Sequence, residues 1–157
     1  MNRRYYCLLI VLFFAVLIQA AAAERTYNIL FVQAYTSQTP WHSDLNQGLV
    51  KGFKESGLKV NITTEYLDAD FWAFNSEKVI MRRFCQRARD RQTDLIITAS
   101  DEAFYTLFAC GDSLPLQIPV VFFGIKYPDM ELIATHPNVC GFTANPVSYT
   151  HLTLPTN

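Results

Sequence analysis

Ser100 and Asp101 form the polar pair in this chain with the clearest chemical use. They stand where a short apolar run, Leu95 to Thr98, gives way to a helical pattern. A hydroxyl, a carboxylate and the unpaired N–H groups of a helix's first turn can together hold a polar ligand. The same side chains can also cap the helix, and the two roles are compatible. Tyr35, Thr36 and Trp41 lie in a polar stretch after another apolar run, where rings can stack on a flat ligand and a hydroxyl can orient it. Asp68 follows a third run. Gly124, Lys126 and Tyr127 follow a fourth, adding a turn-permitting residue, a cation and a ring. These nine residues are the candidate ligand-binding set. Phe71 and Phe74 are read instead as core-packing or lobe-contact residues, on their apolar area.

Nothing in the pattern points to catalysis, a metal or a resident cofactor. The chain has no dinucleotide or triphosphate glycine loop, no G-x-S-x-G elbow and no H-E-x-x-H. His42 and His136 are isolated and read as solvated or capping residues. Asp68, Asp70 and Asp101 could gather round a cation in an exported enzyme, but carboxylates at strand ends do not establish a metal site. Asn61 opens a glycosylation sequon inside a strand pattern, which reads as chance. Cys85, Cys110 and Cys140 have no zinc spacing and sit in apolar contexts, so buried free thiols are expected. A bridge between one pair stays open in an oxidising compartment, because sequence cannot fix pairing.

The elements that must position these residues alternate. Asn28 to Val32 is a continuous apolar run, as in a strand buried on both faces. A helix from about Trp41 to Ser56 has Leu45, Leu49, Val50 and Phe53 on one face and Gly57 beyond its end. Val60 to Leu67 reads as a strand. Ser76 is expected to cap a helix from Glu77 to about Arg91, with Ile80, Met81, Phe84, Cys85 and Ala88 at helical spacing. Leu95 to Thr98 is a third strand, a short helix runs to Ala109, and Val120 to Phe123 is a fourth strand ended by Gly124. An irregular stretch with Pro128 and Pro137 follows, and Val139 to Phe142 begins another strand. This order predicts an α/β fold: a parallel doubly wound sheet with helices on both faces. Ligands then bind beyond the carboxyl ends of the strands, where the nine candidates fall.

The two ends are read separately from the domain. Arg3 and Arg4, the apolar run Tyr5 to Ile18 and the alanines Ala20 to Ala23 have the layout of a signal peptide over residues 1–23. Val147 to Thr156 matches the translation of a transposase-type sequencing adapter, so residues 147–157 are taken as non-native. Between them, residues 24–146 supply about 120 residues, enough for one lobe. Without Arg3 and Arg4, 11 basic residues face 14 acidic ones, a net charge of about −3. That balance excludes a nucleic-acid partner.

The segments Ile29 to Val32, Asp94 to Ala103 and Ile118 to Gly124 resemble the first lobe of the ABC-transporter substrate-binding-protein family, with the type I periplasmic-binding-protein fold. Asn138 to Phe142 resembles that family's stretch near the crossing to the second lobe. Similar domains form periplasmic sensor regions of bacterial hybrid histidine kinases. The resemblance implies an incomplete, non-catalytic, exported solute-binding lobe whose partners are a small-molecule solute and the missing second lobe of the same chain. It is compatible with a homodimer, and with membrane contact only through the N-terminal segment or a downstream helix. The favoured role is a periplasmic sensor domain of a two-component histidine kinase; the alternative is a soluble substrate-binding protein of a transporter.

Overall fold

The computed structural model describes residues 25–36 and 40–144, with only the backbone given for residues 40–42. The signal segment, the C-terminal tail and the Trp41 and His42 side chains lie outside the described residues. β1, Thr26–Gln33, is an inner strand of the sheet. Its side chains alternate between two apolar clusters, which is why the sequence run is unbroken rather than alternating. Leu30, Val32 and Ala34 join Met81, Phe84, Phe104 and Leu107 on one face. Ile29 and Phe31 join Ile97, Ala99, Leu45, Leu49 and Phe53 on the other.

Four more strands follow: β2, Lys59–Tyr66, β3, Leu95–Ala99, β4, Val120–Ile125, and β5, Val139–Thr143. The helices between them are α1, Pro40–Ser56, α2, Phe74–Asp90, α3, Asp101–Ala109, and α4, Met130–Thr135, with a 3₁₀ turn at Leu114–Leu116. The strands form one sheet in the order β2-β1-β3-β4-β5, and every neighbouring pair is parallel. Leu30 stands opposite both Thr63 and Ile96, and Phe123 opposite Phe142. The fold is thus the expected α/β doubly wound one. After β1 the chain turns to one side and after β3 to the other, which opens a crevice between their exits.

Local structure departs from the sequence reading at several places. α2 begins at Phe74, ahead of Ser76, with Ala73 as its N-cap; the Ser76 and Glu77 N–H groups donate to the Ala73 carbonyl, and no side chain caps the helix. The helix is long enough, with Met81, Phe84, Cys85 and Ala88 buried, that packing holds its start without a side-chain cap. β4 does not end at Gly124. The strand passes through it at a bulge, with Gly124 at φ 71°, and continues to Ile125. The stretch after Pro128 contains α4, nucleated by Asp129, whose carboxylate accepts from the Glu131 and Leu132 N–H groups at 3.0 Å. Cys85 and Cys110 are buried as expected, whereas Cys140 is exposed because it lies on the edge strand β5.

Candidate ligand-binding site

Backbone hydrogen bonds stitch the strand exits into one ledge. Leu67 N–H donates to Gln33 O at 2.9 Å and Ala69 N–H to Ala34 O at 2.9 Å. Ala34 N–H donates to Ala99 O at 3.3 Å, and Ser100 N–H to Phe123 O at 2.9 Å. Tyr35, Asp68 and Ser100 therefore emerge side by side from neighbouring strands. Asp68 leaves β2 in the left-handed region, at φ 52°.

Asp101 does not cap its helix. Its carboxylate accepts from Lys126 N–H at 3.0 and 3.2 Å and from Tyr127 N–H at 3.2 Å, pinning the loop after β4 to the start of α3. Ser100 occupies the N-cap position but makes no side-chain cap bond. Its backbone sits at φ 80°, ψ 164°, a region that glycine tolerates and serine does not. The chain makes this bend because Ser100 N–H must still pair with β4 while its carbonyl receives Phe104 N–H at 3.3 Å.

The Tyr35 hydroxyl meets the Glu102 carboxylate. Burial, the bond to Glu102 and the negative charges of Glu102, Asp70 and Asp101 all push its pKa above the ordinary phenol value. Tyr35 thus remains a neutral hydrogen-bond donor across the physiological range. Glu102 was not singled out in the sequence; its signal is local, as the second residue of a helix starting at a strand end. Tyr105 is a second unread participant. Its hydroxyl donates to the Tyr127 carbonyl and accepts from Asp129 N–H at 2.9 Å, bracing the same loop.

Around the ledge stand exposed rings: Phe71 at 75%, Trp72 at 51% and Tyr127 at 77%. Phe71 and Phe74 therefore lie outside the core, which corrects the core-packing half of their reading and leaves the lobe-contact half. The Phe74 ring is half-exposed and receives the Lys78 ammonium 4.3 Å from its centroid. Thr36 follows Tyr35 on the ledge and is half-buried, Gly124 lies just inside the β4 end, and Lys126 is exposed at the tip. The structure so brings together Tyr35, Thr36, Asp68, Ser100, Asp101, Lys126 and Tyr127 at one end of the sheet. Trp41 follows the same exit, with its side chain outside the described residues.

Other features lie elsewhere. Among the described residues no group of three or more His, Cys, Asp or Glu side chains is placed to hold a metal ion, so Asp68, Asp70 and Asp101 do not gather round one point. His136 packs edge-on against Phe108 at 5.0 Å and its Nδ1 lies 2.7 Å from Leu132 O, which fits capping of α4. Asn61 on β2 donates to Asn28 Oδ1 at 3.2 Å. An apolar groove of about 450 Å³ runs along α1, lined by Leu45, Gly48, Leu49, Phe53 and Phe123. Among the described residues no helix is long and apolar enough to cross a membrane.

No protein-family model matches the chain, and no curated protein is similar to it. Solved structures are. A conserved domain protein from Vibrio cholerae shares 17% identity at a TM-score of 0.57, over 74% of this chain and 38% of that one. An ABC domain from Streptococcus pneumoniae, solved with L-Trp, shares 17% identity at a TM-score of 0.57, over 76% of this chain and 39% of that one. The ligand-free, open form of a substrate-binding protein with adhesive properties from Clostridium difficile shares 16% identity at a TM-score of 0.52, over 73% and 38%. The chain spans less than two-fifths of the length of these structures, and over that span it shares their fold.

Proposed function

We propose that this chain is the first lobe of an exported solute-binding module, with the ledge at the strand exits forming half of the binding mouth. Residues 1–23 serve as its signal peptide, residues 24–146 as the lobe, and residues 147–157 are not native. The observation that carries the reading is the convergence of neutral Tyr35, unbonded-cap Ser100 and the Asp101-pinned Lys126–Tyr127 loop at a topological switch point. Acceptors at Asp68 and Glu102, a cation at Lys126 and flat rings at Trp72 and Tyr127 suit a small zwitterion with a planar side group. The L-Trp in the pneumococcal structure belongs to that class. The chemistry is binding: a second lobe closes over the ligand, and the ligand stabilises the closed state through its higher affinity for it.

The favoured role is sensing, with closure signalling to a membrane-attached kinase. Delivery to a transporter is the second reading, supported by the substrate-binding description of the Clostridium difficile neighbour. The native gene beyond Pro146 separates them: a membrane helix and kinase region supports sensing, a stop after the second lobe supports delivery. The binding claim is tested by thermal-shift screening of the two-lobed form against aromatic amino acids, sugars and aromatic acids. A rise in Tm with aromatic amino acids, weakened by Tyr35→Phe, is expected. A flat response to every class refutes solute binding at this ledge.

A further inference from the structure

Two of the three mature cysteines face each other across the α2–α3 contact. Cys85 lies midway along α2 and Cys110 closes α3, and both are fully buried in the same apolar cluster. The arginines on either side of Cys85 on its helix face hold the opposing segment in register. Arg82 Nε donates to the Cys110 carbonyl at 2.6 Å, and Arg89 Nη1 to the Asp112 carboxylate at 2.9 Å. Cys110 Sγ lies 3.1 Å from the Leu107 carbonyl and also receives the Cys85 thiol. The two thiols are thus neighbours in one buried cluster, and bonds on both sides fix the segments that carry them. Cys140 is on the far edge strand and exposed.

We propose that Cys85 and Cys110 form a disulfide that staples the end of α3 to α2, closed by a disulfide donor of the glutathione or thiol-oxidoreductase class. The Cys110 thiolate attacks one donor sulfur and expels the first donor thiolate. The Cys85 thiolate then attacks the mixed disulfide at Cys110 and expels the second. One donor disulfide is reduced to two thiols, which take up the two protons lost by the cysteines. Cys110 is the better first nucleophile. The hydrogen bond from Cys85, helped by Arg82, lowers its pKa below the ordinary thiol value against the opposing effect of burial, whereas the same bond and burial raise Cys85. Closure in the cell rests on the export reading, since a reducing compartment would keep the pair open.

The test uses the purified chain from Glu24 onward, which omits Cys7 and carries three cysteines, and its Cys140→Ser variant, equilibrated across a glutathione redox series, denatured, alkylated and weighed. The expected result is a Cys85–Cys110 linked peptide, with one alkylated thiol in the parent chain and none in the variant. Three alkylated thiols at the most oxidising ratios, or linkage that recruits Cys140, overturns the proposal. The export reading fails separately: chain recovered from cells would then carry both thiols reduced while the glutathione series still links them.

Discussion

At the scale of the residue, two positions are held against their own preference. Ser100 carries a strained backbone at the mouth of the ledge. Strain of this kind costs about 1–3 kcal/mol and persists where the surroundings over-determine it. Ser100→Gly is therefore expected to stabilise the fold by about 1 kcal/mol in denaturant unfolding while weakening ligand binding through loss of the hydroxyl. An unchanged affinity would assign Ser100 to backbone geometry alone. Glu77 is buried beneath α3, its Oε2 accepting from Thr106 Oγ1 at 3.3 Å. Burial, with help from the Glu102 charge, raises its pKa above the ordinary 4.5 against the opposing Thr106 bond. In the interval between the ordinary and the raised value the folded chain binds more protons than the unfolded one. Stability from this group is thus full below 4.5 and falls as pH rises through the folded pKa. Glu77→Gln keeps an acceptor for Thr106 and cannot ionise, so its stability relative to the parent should increase from acid to neutral pH. A pH-independent difference between the two would contradict this account.

At the scale of the element, contacts between segments decide more than local propensity. β5 joins the sheet only because Gly141 lets the Phe122 strand approach. A Cβ there would collide with the Phe122 carbonyl and lie 2.6 Å from its ring. Gly141→Ala is expected to cost about 1–3 kcal/mol and to loosen β5 first, seen as faster amide exchange at residues 139–143 than at β3. The same logic holds α3. Arg89 and Asp112 pair at its end, where burial alone would raise the Asp112 pKa but Arg89 and the Leu114 N–H outweigh it and hold the carboxyl below its ordinary range. The helix start at Phe74 also shows the order of effects. The serine that looks like a cap is bypassed, because four apolar contacts on one face of α2 outweigh a cap's roughly 1 kcal/mol.

At the scale of the whole molecule, the sheet is unequally covered. α2 and α3 pack over the face that holds Phe104 and Met81, while α1 covers the other face, where Phe123 and Phe142 stack at 5.6 Å with Phe142 mostly exposed. β3 lies at the centre with four of its five residues buried, and β5 lies at the edge. Amide exchange should therefore be slowest in β1 and β3 and fastest in β5 and α4; equal protection across the sheet would count against this arrangement.

The strand order along the chain, the parallel sense of the sheet and the end of it where polar residues collect were all readable from apolar runs and helical spacing. Burial on both faces writes itself into consecutive residues, and a helix between two strands leaves the parallel arrangement as the way back to the sheet. Pairings between distant residues were not readable. Asp101 serving the loop at Lys126, Tyr35 meeting Glu102, Cys85 facing Cys110 and Gly141 admitting β5 all join segments from different elements. Each depends on where two elements come to rest against a shared core. That is a property of packing in three dimensions, which no local run of residues encodes.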